Sequence, residues 1–225
     1  MDRKVLFAVA GHVLANDISF VLSAIELAKR PPCPVFFGWS LDPSVERARN
    51  ILTASFLESP CTHILFCDTD IGFLPEHVDR ITSHDVGVVG GLYPLKKWGP
   101  QPEWCSIALQ QKQPVRPDGL MRVAYIGTGF LCIRRDVFQK IIAAIGDQLA
   151  YTPANKAEGN EFAFWRQGVR AGRFLTEDWM FCQTWIDLGG EVFADTRVML
   201  SHAGRAEWPL PSQIQKEYDI SRLKN

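Results

Sequence analysis

The segment His63-Ile64-Leu65-Phe66-Cys67-Asp68-Thr69-Asp70-Ile71-Gly72-Phe73 runs from an apolar stretch straight into two carboxylates one residue apart. A short apolar run of this kind, bounded by turn residues, reads as a buried strand. In open α/β sheets the ligand crevice lies at the carboxyl ends of the strands. Carboxylates delivered there can hold a hard divalent cation, and the cation can hold a diphosphate. Taken as structure alone, the same residues make a turn in which Asp68 and Asp70 accept backbone hydrogen bonds.

The flanking sequence repeats the strand–helix pattern. Upstream, Val5–Ala10 is an apolar run ending at Gly11, and Asp17 opens a helical pattern (Ile18, Val21, Leu22, Ile25, Leu27, Ala28) that stops at Arg30-Pro31-Pro32. Val35–Trp39 is a second strand. Ser44 caps a helix to about Glu58, with Ile51, Leu52, Phe56 and Leu57 inward. Downstream, Pro75 starts a helix to about Ser83, and Val86–Val89 is a strand before Gly90-Gly91. Such alternation predicts a mostly parallel sheet covered on both faces. The prolines and tryptophans of residues 94–125 predict irregular antiparallel structure. Asp136–Ile145 reads as helix and residues 150–173 as a long polar and aromatic loop. Thr176 caps a helix to about Leu188, and Glu191–Ala194 and Arg197–Leu200 read as short strands. A polar tail follows from Ala203.

Length and composition bound the function. The chain has 225 residues, 47% apolar and 22% charged, which suits one domain with an ordinary core. Lys and Arg total 24 against 25 Asp and Glu, so no basic field marks a nucleic-acid surface, although a local basic groove remains open. No apolar run reaches the ~18–20 residues of a membrane span, and Val5–Ala10 is too short for a secretory signal. The 6 cysteines are scattered without a Cys-x-x-Cys pair and read as reduced thiols, so a cytoplasmic location is expected. P-loop, dinucleotide-fingerprint, nucleophile-elbow and His-Glu-x-x-His signatures are absent.

Six segments, in order, carry a family resemblance: Glu46-Arg47-Ala48-Arg49-Asn50, Leu65–Phe73, Val88-Val89-Gly90-Gly91-Leu92-Tyr93-Pro94, Gly127-Thr128-Gly129-Phe130, Thr176-Glu177-Asp178-Trp179-Met180-Phe181-Cys182 and Leu200-Ser201-His202-Ala203-Gly204. Together they resemble a GT-A-type glycosyltransferase of the small family 2-like kind also seen among phage and viral proteins. The resemblance spans about residues 5–204. It implies a GT-A-like α/β domain with a Rossmann-like nucleotide-binding half over about residues 1–93, a mixed acceptor-binding half over about 94–204, and a tail over 205–225. In a phage or viral setting the location would be the host cytoplasm.

The resemblance also implies a site. Asp70 would ligate Mn²⁺ or Mg²⁺ directly, Asp68 would touch the metal or the ribose, and His202 would add a ligand from the far end of the chain. Mixed oxygen and imidazole ligation suits Mn²⁺ somewhat better than Mg²⁺. Ala10, Gly11, Asp42, Arg49 and Thr69 would join Asp68 and Asp70 around a nucleotide-sugar donor. Asp178 would be the general base of an inverting transfer, with Glu177 beside it. As plain structure, acids in the first turn of a helix favour the macrodipole. Gly91, Tyr93, Lys96, Trp98, Gly127, Thr128 and Trp179 would form the acceptor site. The implied reaction moves a sugar, with UDP the expected carrier and GDP open, to a hydroxyl of a glycan, a protein or lipid carrier, or a hydroxymethylated DNA base. A nucleotidyltransferase is one alternative, although Gly11-His12-Val13-Leu14-Ala15 lacks the glycine-rich basic loop such enzymes carry. A non-catalytic nucleotide- or carbohydrate-binding module is the other.

Overall fold

The apolar runs of the central strands Val5–Ala10, His63–Cys67, Val88–Leu92 and Phe130–Arg134 are buried, whereas the edge strand Val35–Ser40 leaves Phe36, Phe37 and Trp39 exposed, and the segments between strands include the covering helices. The computed structural model describes residues 3–11, 17–97, 103–108, 113–153 and 161–204. Strands β1 (Val5–Ala10), β2 (Val35–Ser40) and β3 (His63–Cys67) alternate with helices α1 (Ile18–Lys29) and α2 (Val45–Glu58). The short β4 (Ile71–Gly72) leads to α3 (Pro75–Ser83) and β5 (Val88–Leu92). Then come β6 (Ser106–Ala108), β7 (Leu120–Ile126), β8 (Phe130–Arg134) and α4 (Arg135–Leu149). Short pieces β9 (Ala150–Tyr151), β10 (Glu161–Phe162), β11 (Gly168–Arg170) and β12 (Arg173–Leu175) precede α5 (Glu177–Asp187), β13 (Val192–Met199) and β14 (Ser201–His202).

The main sheet has 8 strands in the order β2-β1-β3-β8-β5-β13-β7-β6. Strands β2, β1 and β3 are parallel, as are β5 and β13, while β8 runs antiparallel between β3 and β5 and β7 runs antiparallel to β13. Most strands therefore share one direction, and β8 is the reversed strand at the centre. Helix α1 lies against the Phe7–Phe37 face of the sheet, where Phe20 and Ala24 line a cleft with those rings. Helix α2 takes the opposite face, with Leu52 over Gly38 and Leu6. There Phe138 of α4 contacts Phe56, Phe164 and Phe181, and Trp165 stacks on Phe181 with ring centroids 4.6 Å apart. Fully burying an aromatic side chain contributes about 1.5–3 kcal/mol, so this cluster is a main source of stability.

Several sequence expectations need correction. Helix α1 buries Phe20, Ser23 and Leu27, whereas Ile18, Leu22 and Ile25 are exposed, as is Ile51 on α2. Strand β5 does not stop before Gly90-Gly91 but passes through both. A Cβ on Gly90 would fall 2.5 Å from Ile126 Cδ1, and one on Gly91 would fall 2.8 Å from Leu200 Cδ1. The two short strands expected from 191 to 200 are one strand, β13, with an irregularity between Asp195 and Met199. Residues 150–173 are not one loop: β9 pairs with β10, and β11 with β12. The β11–β12 hairpin turns at Ala171 (φ 48°) and Gly172 (φ 75°), both left-handed, which matches the twist of the flanking strands. The tail 205–225 lies outside the described residues.

Among the described residues no helix is long and apolar enough to cross a membrane. All six cysteines are free thiols, five of them buried.

Candidate active site

The Asp-x-Asp motif sits where β3 ends. Asp68 N–H donates to the Gly129 carbonyl at 3.0 Å, which fixes the turn against the start of β8. Asp70 is then met by the far end of the chain. Strand β14 pairs antiparallel with β4, with His202 opposite Ile71, and Ala203 N–H donates to the Asp70 carbonyl at 2.8 Å. This pairing brings residues 70 and 202 together, with His202 Nε2 lying 3.5 Å from Asp70 Oδ2.

The other ring nitrogen, Nδ1, lies 2.7 Å from the Pro94 carbonyl and can only donate to it. With Nδ1 holding its proton on the Pro94 carbonyl, Nε2 would be the ring nitrogen that turns its lone pair to a cation bound beside Asp70, as in metal-ligating histidines. On Asp70, Oδ2 accepts from Lys96 Nζ at 2.5 Å, while Oδ1 is buried and has no hydrogen-bond partner among the described residues. Burial pushes the Asp70 carboxyl up, but His202 and Lys96 outweigh it and hold it below its ordinary value.

Asp68 faces the other way. Its Oδ1 accepts from Arg49 Nη2 at 3.2 Å, and Arg49 Nη1 donates to Glu177 Oε1 at 2.5 Å. The Arg49 side chain, only 5% exposed, thus joins the Asp-x-Asp turn to the first turn of α5. Burial raises the carboxyls of both Asp68 and Glu177, and the guanidinium between them works against that rise. Beside Glu177, Asp178 is half-buried, and its Oδ1 accepts from the Thr176 hydroxyl and, at 2.8 Å, from Trp179 N–H. Thr176 is the N-cap residue, but its hydroxyl serves Asp178 and makes no capping bond to the backbone. The Trp179 ring stacks on Tyr125 at 5.1 Å, with planes 10° apart.

The first loop approaches the same turn. A Cβ on Gly11 would fall 3.0 Å from Thr69 Cγ2, so Gly11 lies directly over the middle residue of Asp-x-Asp. Ala10 is buried beside Ser40, and Thr69 accepts at its carbonyl from Asp17 N–H at 2.9 Å. Asp42 is instead occupied at the start of its own helix, taking Ser44 N–H and Arg47 Nε.

The acceptor set divides. Gly91, Tyr93, Gly127 and Thr128 are inside the protein rather than lining an open surface. The Tyr93 phenol fills the space left by two glycines. A Cβ on Gly127 would fall 2.4 Å from Tyr93 Oη, and Gly129 N–H donates to that oxygen at 3.0 Å. The backbone at Gly127 and Gly129 is thus packed directly against the Tyr93 phenol. Lys96 lies apart from these four, with its ammonium on Asp70 at the Asp-x-Asp turn. Trp98 falls outside the described residues. Phe164 and Trp165, within the stretch expected to be a long loop, are core: the Asn50 amide brackets Trp165, donating to its carbonyl and accepting from its N–H, each at 3.0 Å.

Among the described residues, no group of three or more His, Cys, Asp or Glu side chains forms a ready-made metal cage. The donors around Asp70 nevertheless fit a hard or borderline divalent cation: a carboxylate whose Oδ2 faces His202 Nε2 and whose buried Oδ1 has no hydrogen-bond partner among the described residues, and an imidazole whose Nδ1 is already committed to the Pro94 carbonyl. Mg²⁺-type sites commonly use one or two carboxylates and complete the shell with water and substrate phosphates, so a partial protein site is chemically coherent.

No protein-family model matches the chain, and no curated protein does. Solved structures with the same fold include A197 from STIV, 17% identical with a TM-score of 0.56 over 89% of this chain and 86% of that one. Another is GalNAc-T7, determined with UDP, GalNAc and Mn²⁺, 10% identical with a TM-score of 0.54 over 91% of this chain and 44% of that chain. This chain therefore spans less than half the length of GalNAc-T7. At these identities the likeness establishes architecture, and the architecture is the GT-A-like α/β fold.

Proposed function

We propose that this protein is a metal-dependent glycosyltransferase that moves a sugar from a nucleoside-diphosphate sugar, UDP-linked, to an acceptor hydroxyl. The observation that carries this reading is the meeting of Asp70 and His202 at the end of β3, with Arg49 linking the same turn to the Glu177-Asp178 pair. Asp70 and His202 would hold Mn²⁺ or Mg²⁺, and the bound cation would offset charge developing on the departing diphosphate. Gly11 and Thr69 would border the nucleotide. Asp178 would accept the proton of the attacking hydroxyl in a single inverting displacement. Glu177 serves this scheme by holding Arg49, a positioning role rather than proton transfer. Trp179, stacked on Tyr125, would offer a flat aromatic surface beside the base, suited to a sugar ring of a glycan acceptor.

The test is a panel of UDP- and GDP-sugars, with and without Mn²⁺, read as release of nucleoside diphosphate. Mn²⁺-dependent release from one donor class is expected. Inactivity across the panel together with no nucleotide binding would overturn the reading, and pyrophosphate release from a nucleoside triphosphate would replace it with nucleotidyl transfer.

A further inference from the structure

Lys96 is the cation already present at the Asp70 site. Its Nζ lies 2.5 Å from Asp70 Oδ2, the same oxygen that His202 Nε2 approaches to 3.5 Å. A divalent ion shared by Asp70 and His202 must enter on the Oδ2 side, where the ammonium stands. Two cations cannot share that position, because like charges a few ångströms apart repel strongly in a partly desolvated site. The Lys96 side chain is 35% exposed and the Asp70 side chain 31%, so the ammonium can swing out to water without breaking the core.

The segment bearing Lys96 also touches the other ligand. Pro94, two residues earlier, gives its carbonyl to His202 Nδ1 and forms an isolated β-bridge with Trp104. Leu95 N–H donates to the Glu103 carbonyl at 2.6 Å, and Lys97 pairs with Glu103. The backbone beside Lys96 is therefore held while its partly exposed side chain reaches Asp70.

Resting on the reading above, we infer that Lys96 is a cation surrogate: it neutralises Asp70 in the empty site, yields that carboxylate to the incoming metal, and then pairs with the donor's diphosphate. A lysine suits this role because its ammonium is a compact charge on a flexible stem, able to exchange one anion for another. Metal and donor then bind cooperatively, since the diphosphate supplies the displaced ammonium with a new partner.

The experiment compares wild type, Lys96→Met and Lys96→Arg by Mn²⁺ titration, following the free-ion signal by electron paramagnetic resonance, first alone and then with UDP. Circular dichroism confirms folding of each variant. Without UDP, Lys96→Met is expected to bind Mn²⁺ about two- to fivefold more tightly than wild type, the range set by loss of one partly exposed ion pair. With Mn²⁺ saturating, the same variant is expected to bind UDP more weakly by a similar factor, and Lys96→Arg to stay near wild type in both. Unchanged or weaker Mn²⁺ binding by Lys96→Met would overturn the inference, as would tighter Mn²⁺ binding with undiminished UDP affinity. Absence of Mn²⁺ binding in every protein would overturn it together with the metal-dependent reading. A Mn²⁺–UDP complex with no turnover of any nucleotide sugar would count against the transferase reading alone.

Discussion

Arg49 Nη1 lies 2.5 Å from Glu177 Oε1 across 128 residues of sequence, and the same guanidinium reaches Asp68. The contact is interior, with side chains 5% and 12% exposed. Removing one partner of a buried ion pair leaves charge uncompensated and typically costs about 3–5 kcal/mol. Arg49→Met is therefore expected to lower the urea midpoint sharply. Glu177→Gln, which keeps an acceptor but not the charge, should lower it less. A wild-type midpoint for Arg49→Met would show that the bridge does not hold α5 to the Asp-x-Asp turn.

Asn50, one residue on, tests the same region through hydrogen bonds alone. Its amide satisfies both the N–H and the carbonyl of Trp165 in the core. Asn50→Ala leaves two buried backbone groups unpaired, each costing about 1–3 kcal/mol. Thermal unfolding should show a loss of several degrees with the near-ultraviolet signal of the native tryptophans retained below the transition. An unchanged melting temperature would contradict this.

Acid stability should carry the signature of His63. Burial, with Arg134 and Arg3 nearby, holds this imidazole down at about 4, against an ordinary value of 6.5. The folded state thus resists a proton that the unfolded chain accepts. The contribution is fully present above pH 6.5 and is lost as the pH falls toward 4. His63→Gln should flatten the stability–pH curve across that window, measured by urea unfolding at successive pH values. An equally steep curve in the variant would assign the loss to other groups.

Asp178 separates chemistry from binding. Asp178→Asn is expected to lower kcat by about 10²–10⁴-fold, the usual contribution of a general base, while Mn²⁺ and UDP affinities stay near wild type. The sugar product, followed by proton NMR, should have the anomeric configuration opposite to the donor. Retention, or near-normal turnover of Asp178→Asn, would remove Asp178 from the role of base.

The sequence made the parallel half of the fold legible because its strands are short, mostly apolar runs separated by helices whose starts are marked. Asp17, Ser44 and Pro75 mark their helix starts to within a residue. Strand β8 was harder to see. Phe130–Arg134 runs into α4 with no turn residue between them, and nothing local reveals its reversed direction between β3 and β5. The β11–β12 hairpin was missed because Ala171 occupies a left-handed position where Asn or Gly is the usual signal. In the site, residue types in Asp-x-Asp and Glu177-Asp178 were visible as motifs, but partnership was not. No spacing rule indicates that Arg49 faces Glu177, or that Lys96 lies on Asp70. Exposed Ile18, Leu22 and Ile25 show the converse limit, since helical periodicity identifies an apolar stripe without saying which side the sheet takes.

The most direct test of the proposed transfer is release of UDP from UDP-sugars by wild type, Asp70→Ala and Asp178→Asn, assayed side by side with Mn²⁺ and with a chelator. The account predicts release by wild type in Mn²⁺ only, loss in Asp70→Ala through weakened metal-dependent donor binding, and loss in Asp178→Asn with donor binding intact. Release by wild type that persists undiminished in chelator and in Asp70→Ala would contradict it.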